Sequence, residues 1–399
     1  MRRLGAVLTA GALVLLAGCQ SGGSTEGSAA ESSAAASSSA TPPAQVAVLP
    51  ANGTAGVSPI TPVQLSVQGG EIEGVTVTDG AGAPVAGQVG PAPDDPAAQV
   101  WTPAQPLAYG TGYTVTATAH NAADTTATTT SSFTTVAPGT LSTPSIGPLD
   151  GTTVGVGMPI RVYFDDPVVD KAAVERNLHV TSSTPTDGVW SWMNDAEVHF
   201  RPSTYWPANT TVTLDADLYG VDLGGGTWGE KDRSVTFDVG ARHVSVADAA
   251  THTLTVYDGD QVVQSYPMSA GSSENPTHNG AHVVLEKRAD ITMDSSTFGL
   301  AVDAPGGYRT DVKFATRISN NGEFVHAAPW SVAEQGRSNV SHGCINLSTE
   351  RAEWFYDFSV PGDVVEVVNS QGGMLSSSDG DIYDWAVPWD QWVAGSALS

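Results

Sequence analysis

An internal repeat of about a hundred residues limits the folds open to the first part of this chain. Both copies begin with a proline-to-glycine turn and a short apolar run, and both continue with an aromatic-X-Pro and a Thr-Val-Thr segment. The matching pieces are PANG at 50–53 and PLDG at 148–151, GVSPI at 56–60 and GVGMPI at 155–160, WTP at 101–103 and FRP at 200–202, and TVT at 114–116 and 211–213. Alternating apolar runs separated by Gly, Pro, Asn and Asp are typical of sandwiches of short antiparallel strands.

The repeat therefore predicts a mostly β fold that opens with two immunoglobulin-like β-sandwich domains, over residues 45–138 and 139–240. The 399 residues of the chain are enough for two to four domains at ~100 to 200 residues each. The two cysteines, Cys19 and Cys344, do not supply the Cys…Trp…Cys pattern of antibody domains. The sequence thus predicts the sandwich architecture but not membership of the antibody family, whose domains contain a disulfide between the two sheets.

Residues 1–19 are predicted to be a lipoprotein signal peptide. Arg2 and Arg3 precede an apolar stretch at 4–16, and LAGC at 16–19 forms a small-residue cleavage site before Cys19. This order resembles the bacterial lipobox, in which the cysteine is acylated; an ordinary cleaved signal with a chance cysteine is the alternative. No later run approaches the ~18 apolar residues of a membrane span. We expect an exported protein, lipid-anchored to the outer face of the cytoplasmic membrane, with its body in the cell wall or periplasmic space.

Residues 20–44 are rich in Ser, Ala and Gly, which cannot bury enough apolar surface to offset ordering entropy. They are predicted to be a flexible tether. The whole chain carries a formal net charge of −26, which repels phosphate backbones and anionic lipid headgroups. We therefore expect no nucleic-acid partner, and contact with the membrane only through the anchor.

A third, β-rich domain is predicted over residues 241–369, with one main helix. Ser348 is a good N-cap, and Glu350 in the first turn suits the helix dipole. The helix should run to about Phe358, and VVEVV at 364–368 should form a buried strand. Residues 370–399 contain three tryptophans and are predicted to be a short subdomain that packs on the third domain. Those tryptophans are Trp385, Trp389 and Trp392.

The sharpest chemical signal is SHGCIN at 341–346, with His326 sixteen residues before His342. A thiol attacks carbonyls as its thiolate and needs a neighbouring histidine or cation to activate it. A glycine beside the nucleophile lets backbone amides turn towards an oxyanion. The alternative to a catalytic role for Cys344 is a buried structural cysteine. A zinc site is disfavoured because no fourth ligand has matching spacing. His278 and His282 are predicted to be turn and strand-surface residues.

This segment resembles the catalytic signature of the L,D-transpeptidases (YkuD domain), in which a histidine and about fourteen residues precede Ser-His-Gly-Cys, an apolar residue and asparagine. The resemblance covers residues 242–369. It implies that Cys344 is the nucleophile and His326 the general base, oriented by a neighbouring carbonyl. Ser341 belongs to the same signature, and His342 and Gly343 would supply oxyanion-hole amides together with Cys344.

The same resemblance implies a substrate site around this motif. Tyr308, Asn321 and Gly322 fall where relatives bind the stem peptide, and Met293 and Trp330 fall at pocket walls. Asn346 would hold substrate or the loop. No cofactor and no metal are implied.

The implied reaction is acyl transfer between two peptidoglycan stem peptides, the donor and the acceptor. Cys344 would release D-Ala from a tetrapeptide stem, and a diaminopimelyl amine of a second stem would resolve the thioester into a 3-3 cross-link. Carbapenem β-lactams would acylate the same cysteine. Two other hypotheses remain: a catalytically silent wall-binding scaffold, and a cysteine L,D-carboxypeptidase with water as acceptor.

Overall fold

The computed structural model describes residues 41–93, 95, 98–298, 301–304, 306–380 and 382–399. Residues 43–399 form one unit. Most regular elements are strands, so the predicted mostly β fold class is confirmed. The predicted signal peptide, Cys19 and most of the predicted tether lie outside the described residues.

The first sandwich contains eight strands in two four-stranded sheets. The sheet orders are β1-β3-β6-β5 and β2-β8-β7-β4. Alternating side chains of β3 and β7 point inward, and Leu65, Trp101 and Val115 are buried between the sheets. The strands are β1 (Gln45–Leu49), β2 (Thr54–Val57), β3 (Val63–Gln68), β4 (Glu71–Asp79), β5 (Gly87–Pro91), β6 (Ala98–Pro103), β7 (Gly112–His120) and β8 (Thr126–Thr135).

The second sandwich repeats this plan. Its sheets have the orders β10-β12-β15-β14 and β11-β19-β16-β13, and a small third sheet has the order β17-β18-β9. In both sandwiches a short early strand pairs in parallel with the last strand, β2 with β8 and β11 with β19. The elements are β9 (Thr140–Ser142), β10 (Ser145–Gly147), β11 (Thr153–Val154), β12 (Ile160–Tyr163), α1 (Lys171–Glu175), β13 (Leu178–Ser182), β14 (Gly188–Trp192), β15 (Glu197–Pro202), β16 (Thr210–Ala216), β17 (Asp222–Gly224), β18 (Thr227–Gly229) and β19 (Arg233–Val239).

The third domain has a five-stranded sheet, β22-β21-β20-β28-β23, and a four-stranded sheet, β24-β25-β26-β27. Helix α2 buries Ala352 and Phe355 in the core that the two sheets share. The elements are β20 (His243–Asp248), β21 (Thr253–Asp258), β22 (Gln261–Pro267), β23 (Gly280–Val283), β24 (Glu286–Asp294), β25 (Arg309–Arg317), β26 (Phe324–Ala327), β27 (Ile345–Leu347), α2 (Thr349–Phe358), β28 (Val364–Val368) and, in the tail, α3 (Trp389–Ala394). Short 3-10 turns occur at Ser295–Phe298, Pro329–Ser331 and Asp384–Ala386.

The second sandwich and the third domain pack without a gap, because glycines let their backbones meet. The amides of Gly155 and Gly157 donate to the carbonyls of Pro361 and Gly362, both at 2.8 Å. A Cβ on Gly155 would lie 2.2 Å from the Asp363 amide nitrogen. The hydrophobic core of the second sandwich continues into the third domain through Val244, Val283 and Val364, and into the tail through Ile382.

The tail differs from its prediction. We expected residues 370–399 to pack on the third domain, but the tryptophans contact the second sandwich. The guanidinium carbon of Arg201 on β15 lies 4.8, 5.2 and 4.5 Å from the ring centroids of Trp385, Trp389 and Trp392. Trp392 is fully buried and donates to the Val189 carbonyl at 2.9 Å. The tail also contacts the third domain, as predicted: the Asn321 backbone amide donates to the Asp379 carbonyl at 2.8 Å, and the Ala386 side chain lies beside Gly280 of β23.

Candidate active site

Two short parallel strands bring the predicted base and nucleophile together. All four residues of β26 and all three of β27 are buried, and His326 pairs with Asn346 in the ladder. Cys344 immediately precedes β27, so it lies at the same edge as the His326 strand. Both residues line one cavity of about 310 Å³.

The turn before β27 is held by a serine. Ser341 Oγ donates to the Cys344 carbonyl at 2.6 Å and accepts from the Gly343 amide at 3.1 Å. Gly343 has a φ of +115°, which an L side chain would strain. Its carbonyl accepts from Thr277 Oγ1 at 2.8 Å. Of the three amides predicted to face an oxyanion, that of Gly343 closes this turn, so the amides of His342 and Cys344 are the better candidates for that role.

His326 is buried, and its ring orientation follows from one hydrogen bond. Nδ1 lies 2.9 Å from the Ala327 carbonyl, which can only accept, so Nδ1 carries the proton and donates. The backbone carbonyl of Ala327, the residue after His326, thus orients the ring as predicted. Burial lowers the pKa of His326 to about 4, so the ring is neutral near pH 7 and Nε2 is a free base.

The Cys344 thiol is only slightly exposed and donates to the Gly322 carbonyl at 3.6 Å. Burial raises the pKa of the thiol to about 12; the Phe324 amide lowers it, and the Glu323 charge raises it further. Cys344 and His326 are therefore a neutral pair at rest. Attack by the sulfur would require loss of the thiol proton, and His326, which lines the same cavity, is the predicted base.

The predicted substrate residues divide between two neighbouring cavities. Met293 and Tyr308 border both; Trp330 and Asn346 line the cavity of Cys344, whereas Asn321 and Gly322 line a second one of about 250 Å³. The second cavity also contains residues that the sequence did not single out, namely Asp294, Arg317 and Asn320.

Aromatic side chains border the entrance to the Cys344 cavity. The Tyr308 ring lies 5.0 Å from the His342 ring, and the Trp330 ring lies 6.2 Å from His326. Trp330 is 57% exposed, which makes it a rim residue and not part of the core. Asn346 Nδ2 donates to Ser331 Oγ at 3.1 Å, so of its two predicted roles the structure supports holding the loop.

The interpretation of His278 and His282 as turn and strand-surface residues is wrong for His282, which is fully buried. Its Nε2 donates to the His278 carbonyl at 3.0 Å. His278 Nδ1 lies 3.0 Å from Glu323 Oε1. Glu323 is buried beside the catalytic turn, and no motif in the sequence marked it.

Within the described ranges, no group of three or more His, Cys, Asp or Glu side chains has the geometry to hold a metal ion. No helix of the described residues is long and apolar enough to cross a membrane.

Comparison with known proteins identifies the family to which this chain belongs. A family model described as bacterial Ig domain matches residues 54–222, and one described as L,D-transpeptidase catalytic domain matches residues 242–367. L,D-transpeptidase 2 of Mycobacterium tuberculosis (strain CDC 1551 / Oshkosh) is 42% identical over 346 residues, which cover 87% of this chain and 83% of that protein. The chain therefore belongs to the L,D-transpeptidase family.

Two further relatives extend this result. L,D-transpeptidase 5 of Mycobacterium tuberculosis (strain ATCC 25618 / H37Rv) is 42% identical over 365 residues, which cover 90% of this chain and 78% of that protein. The solved structure of LD transpeptidase LdtMt1 in complex with imipenem is 36% identical, has a TM-score of 0.51, and covers 58% of this chain and 100% of that one. The predicted enzyme class, an L,D-transpeptidase with immunoglobulin-like domains, is confirmed.

Proposed function

We propose that this enzyme makes 3-3 cross-links in peptidoglycan through an acyl-enzyme on Cys344. The observation that carries the proposal is the placement of His326 on β26 and of Cys344 directly before the adjacent strand β27, so that both line one cavity. The thiol attacks the carbonyl of the diaminopimelyl residue in a tetrapeptide stem. The C–N bond to D-Ala breaks, and a thioester remains.

Proton transfer follows from the neutral resting pair. His326 Nε2 takes the thiol proton during attack and returns it to the amine of departing D-Ala. The neutral side-chain amine of a second stem then attacks the thioester and loses a proton to Nε2. The C–S bond breaks, and the imidazolium returns that proton to the departing sulfur, which regenerates the thiol. The amides of His342 and Cys344 are the proposed donors to the oxyanion.

The donor and acceptor stems are proposed to occupy the cavities that the predicted substrate residues line. Met293 and Tyr308 border both cavities, so they contact whichever stem reaches the sulfur. Carbapenem β-lactams are proposed to acylate Cys344 in the same way, because their β-lactam carbonyl is activated and would occupy the position of the stem carbonyl. The relative LdtMt1 was solved in complex with imipenem.

The location of the enzyme is also proposed. The signal segment and Cys19 support export and acylation of that cysteine, with the catalytic unit outside the cytoplasmic membrane. Replacing Cys19 with Ala should release the protein from the membrane fraction. Retention of Cys19→Ala in that fraction would contradict the lipid anchor.

The test of the reaction uses intact mass and product analysis with a disaccharide-tetrapeptide and, separately, a carbapenem. Cys344→Ala should form no adduct, and His326→Gln should acylate ~10²- to 10⁴-fold more slowly. His179→Gln is the matched control, because His179 is exposed on the second sandwich. D-Ala release with a stem dimer supports the transpeptidase. Tripeptide without dimer indicates a carboxypeptidase, and no adduct on the folded protein indicates a silent scaffold.

A further inference from the structure

A buried charged cluster lies directly behind the catalytic turn. Glu323 is 5% exposed. Its Oε1 accepts from the His278 backbone amide at 2.9 Å and lies 3.0 Å from His278 Nδ1. Its Oε2 lies 3.6 Å from His282 Nδ1. On the other side, His278 Nε2 lies 3.4 Å from Asp379 Oδ1 in the tail.

Glu323 also closes the turn that ends β25. Its carbonyl accepts from the Ile318 and Ser319 amides at 3.0 and 3.4 Å, and its own amide donates to Ser319 Oγ at 3.4 Å. The Asn321 amide donates to the Asp379 carbonyl, which ties the tip of the same turn to the tail. The Glu323 backbone thus closes the turn, and its carboxylate contacts the same turn where Oε2 accepts from Ser319 Oγ at 3.3 Å.

This turn provides the groups that face the Cys344 sulfur. The Gly322 carbonyl accepts from the thiol, and the next strand begins with the Phe324 amide, which interacts with the sulfur. The side chain of Glu323 points the opposite way, to within 3.7 Å of the position a Cβ on Gly343 would occupy. Among the described residues, neither cavity is lined by Glu323 or His278. Glu323 therefore acts on sulfur only through its neighbours and its charge.

The charges around Glu323 come from several elements. His278 faces it from the loop before β23, His282 from β23, and Asp379 faces His278 from the tail. Arg317 of β25 and the Cys344 thiol are the remaining ionisable groups of this region, and Arg317 pairs with Glu286 at 2.9 Å. The hydrogen bond to Glu323 raises the pKa of His278 above its usual value. An imidazolium on His278 would offset the carboxylate that opposes a thiolate on Cys344.

We propose that Glu323 is a positioning residue for Cys344: held by the backbone amide and ring of His278 and by Ser319 Oγ, its carboxylate fixes the turn whose Gly322 carbonyl faces the sulfur. This inference rests on the proposed function, because it takes Cys344 as the nucleophile. His278 balances the Glu323 charge, and Asp379 joins the tail to the same clamp.

The test measures two properties of Cys344 in the purified protein. The first is the acylation rate constant with a carbapenem at saturation, together with the half-saturating concentration. The second is the pH profile of alkylation by iodoacetamide, which measures the ionisation of the Cys344 thiol without any wall substrate. The variants are Glu323→Ala, which removes the clamp, and Glu323→Gln, which keeps its shape and removes its charge. Glu350→Gln is the matched control on an exposed carboxylate of α2.

Glu323→Ala should slow acylation at saturation ~tenfold or more, since small displacements of a reacting group are costly, with little change in half-saturation. Glu323→Gln should recover to within ~threefold of wild type, and its alkylation profile should move to lower pH because a charge opposing the thiolate is gone. Glu350→Gln should match wild type. Wild-type acylation in Glu323→Ala would overturn the proposal. So would equal losses in both Glu323 variants with an unmoved alkylation profile. Absence of any wild-type adduct would instead refute the proposed function, and the alkylation profiles would still decide the role of Glu323.

Discussion

Replacing Asp384 with Asn should remove a pH-dependent part of the stability that holds the tail on the second sandwich. Asp384 and His199 are both fully buried. The Asp384 oxygens lie 3.0 and 3.1 Å from His199 Nδ1, and Glu197 Oε1 lies 2.7 Å from His199 Nε2. Burial alone would lower the pKa of His199, but the two carboxylates outweigh it and raise the pKa from 6.5 to about 9.

The size of the effect follows from that shift. A group whose folded-state pKa is raised contributes stability that is complete below its unfolded pKa and is lost as pH rises through the folded pKa. For His199 the loss therefore falls between pH 6.5 and about 9. At ~1.4 kcal/mol per pKa unit, the contribution near pH 6 is ~3 kcal/mol. Asp384→Asn keeps an acceptor for Nδ1–H but removes the largest favourable charge, so most of this contribution should disappear.

The assay is urea unfolding followed by tryptophan fluorescence at pH 6, 8 and 9.5. The free energy of unfolding of Asp384→Asn should be ~2 to 3 kcal/mol below that of wild type at pH 6, and the two should converge towards pH 9.5. Asp390→Asn, an exposed change on α3, should follow wild type throughout. A deficit of equal size at every pH would show that the lost free energy comes from packing and not from the charge on His199.

Two further outcomes follow from the site and the domain interface. Because the pKa of His326 is about 4, the rate of carbapenem acylation should fall only as the pH drops towards 4. An ordinary histidine would lose its function as a base near its pKa of ~6.5. A fall in the stopped-flow rate near pH ~6.5 would contradict the neutral, buried base. Gly155→Ala places a Cβ 2.2 Å from the Asp363 amide and should destabilise the interface by ~1 to 3 kcal/mol, seen as an earlier calorimetric transition; an unchanged melting profile would refute close packing there.

The architecture and the predicted pair of His326 and Cys344 could be predicted from the sequence, because both depend on local patterns of residues. Alternation and turn residues predict strands wherever a strand must bury one face. Helix α2 begins after Ser348 as predicted, although the Ser348 side chain makes no capping hydrogen bond. The spacing of His326 and the SHGCIN segment belongs to two neighbouring strands, so one motif spans the whole catalytic pair.

The sequence failed where a residue's role depends on partners far along the chain. Three tryptophans in a polar tail had to be buried, but the surface that receives them is set by Arg201, almost two hundred residues earlier. In the sequence, Glu323 has the pattern of an exposed polar turn residue. In the structure it is buried, because His278 and Asp379 from two other loops lie beside it. The Gly343 amide was predicted to belong to an oxyanion hole, and the sequence did not indicate that the hydroxyl of Ser341, two residues earlier, accepts from it.

The tail gives the catalytic domain a second mechanical attachment. The chain enters that domain directly from the second sandwich at residues 240–243, and α3 returns to the same sandwich, where Trp392 is buried and Ser396 Oγ donates to Glu175 at 2.6 Å. A domain joined through one linker swings freely, but rotation here would have to withdraw a tryptophan from its pocket. A force applied to the catalytic domain would therefore pass into the second sandwich through two attachments, and Cys344 would keep its orientation relative to that sandwich.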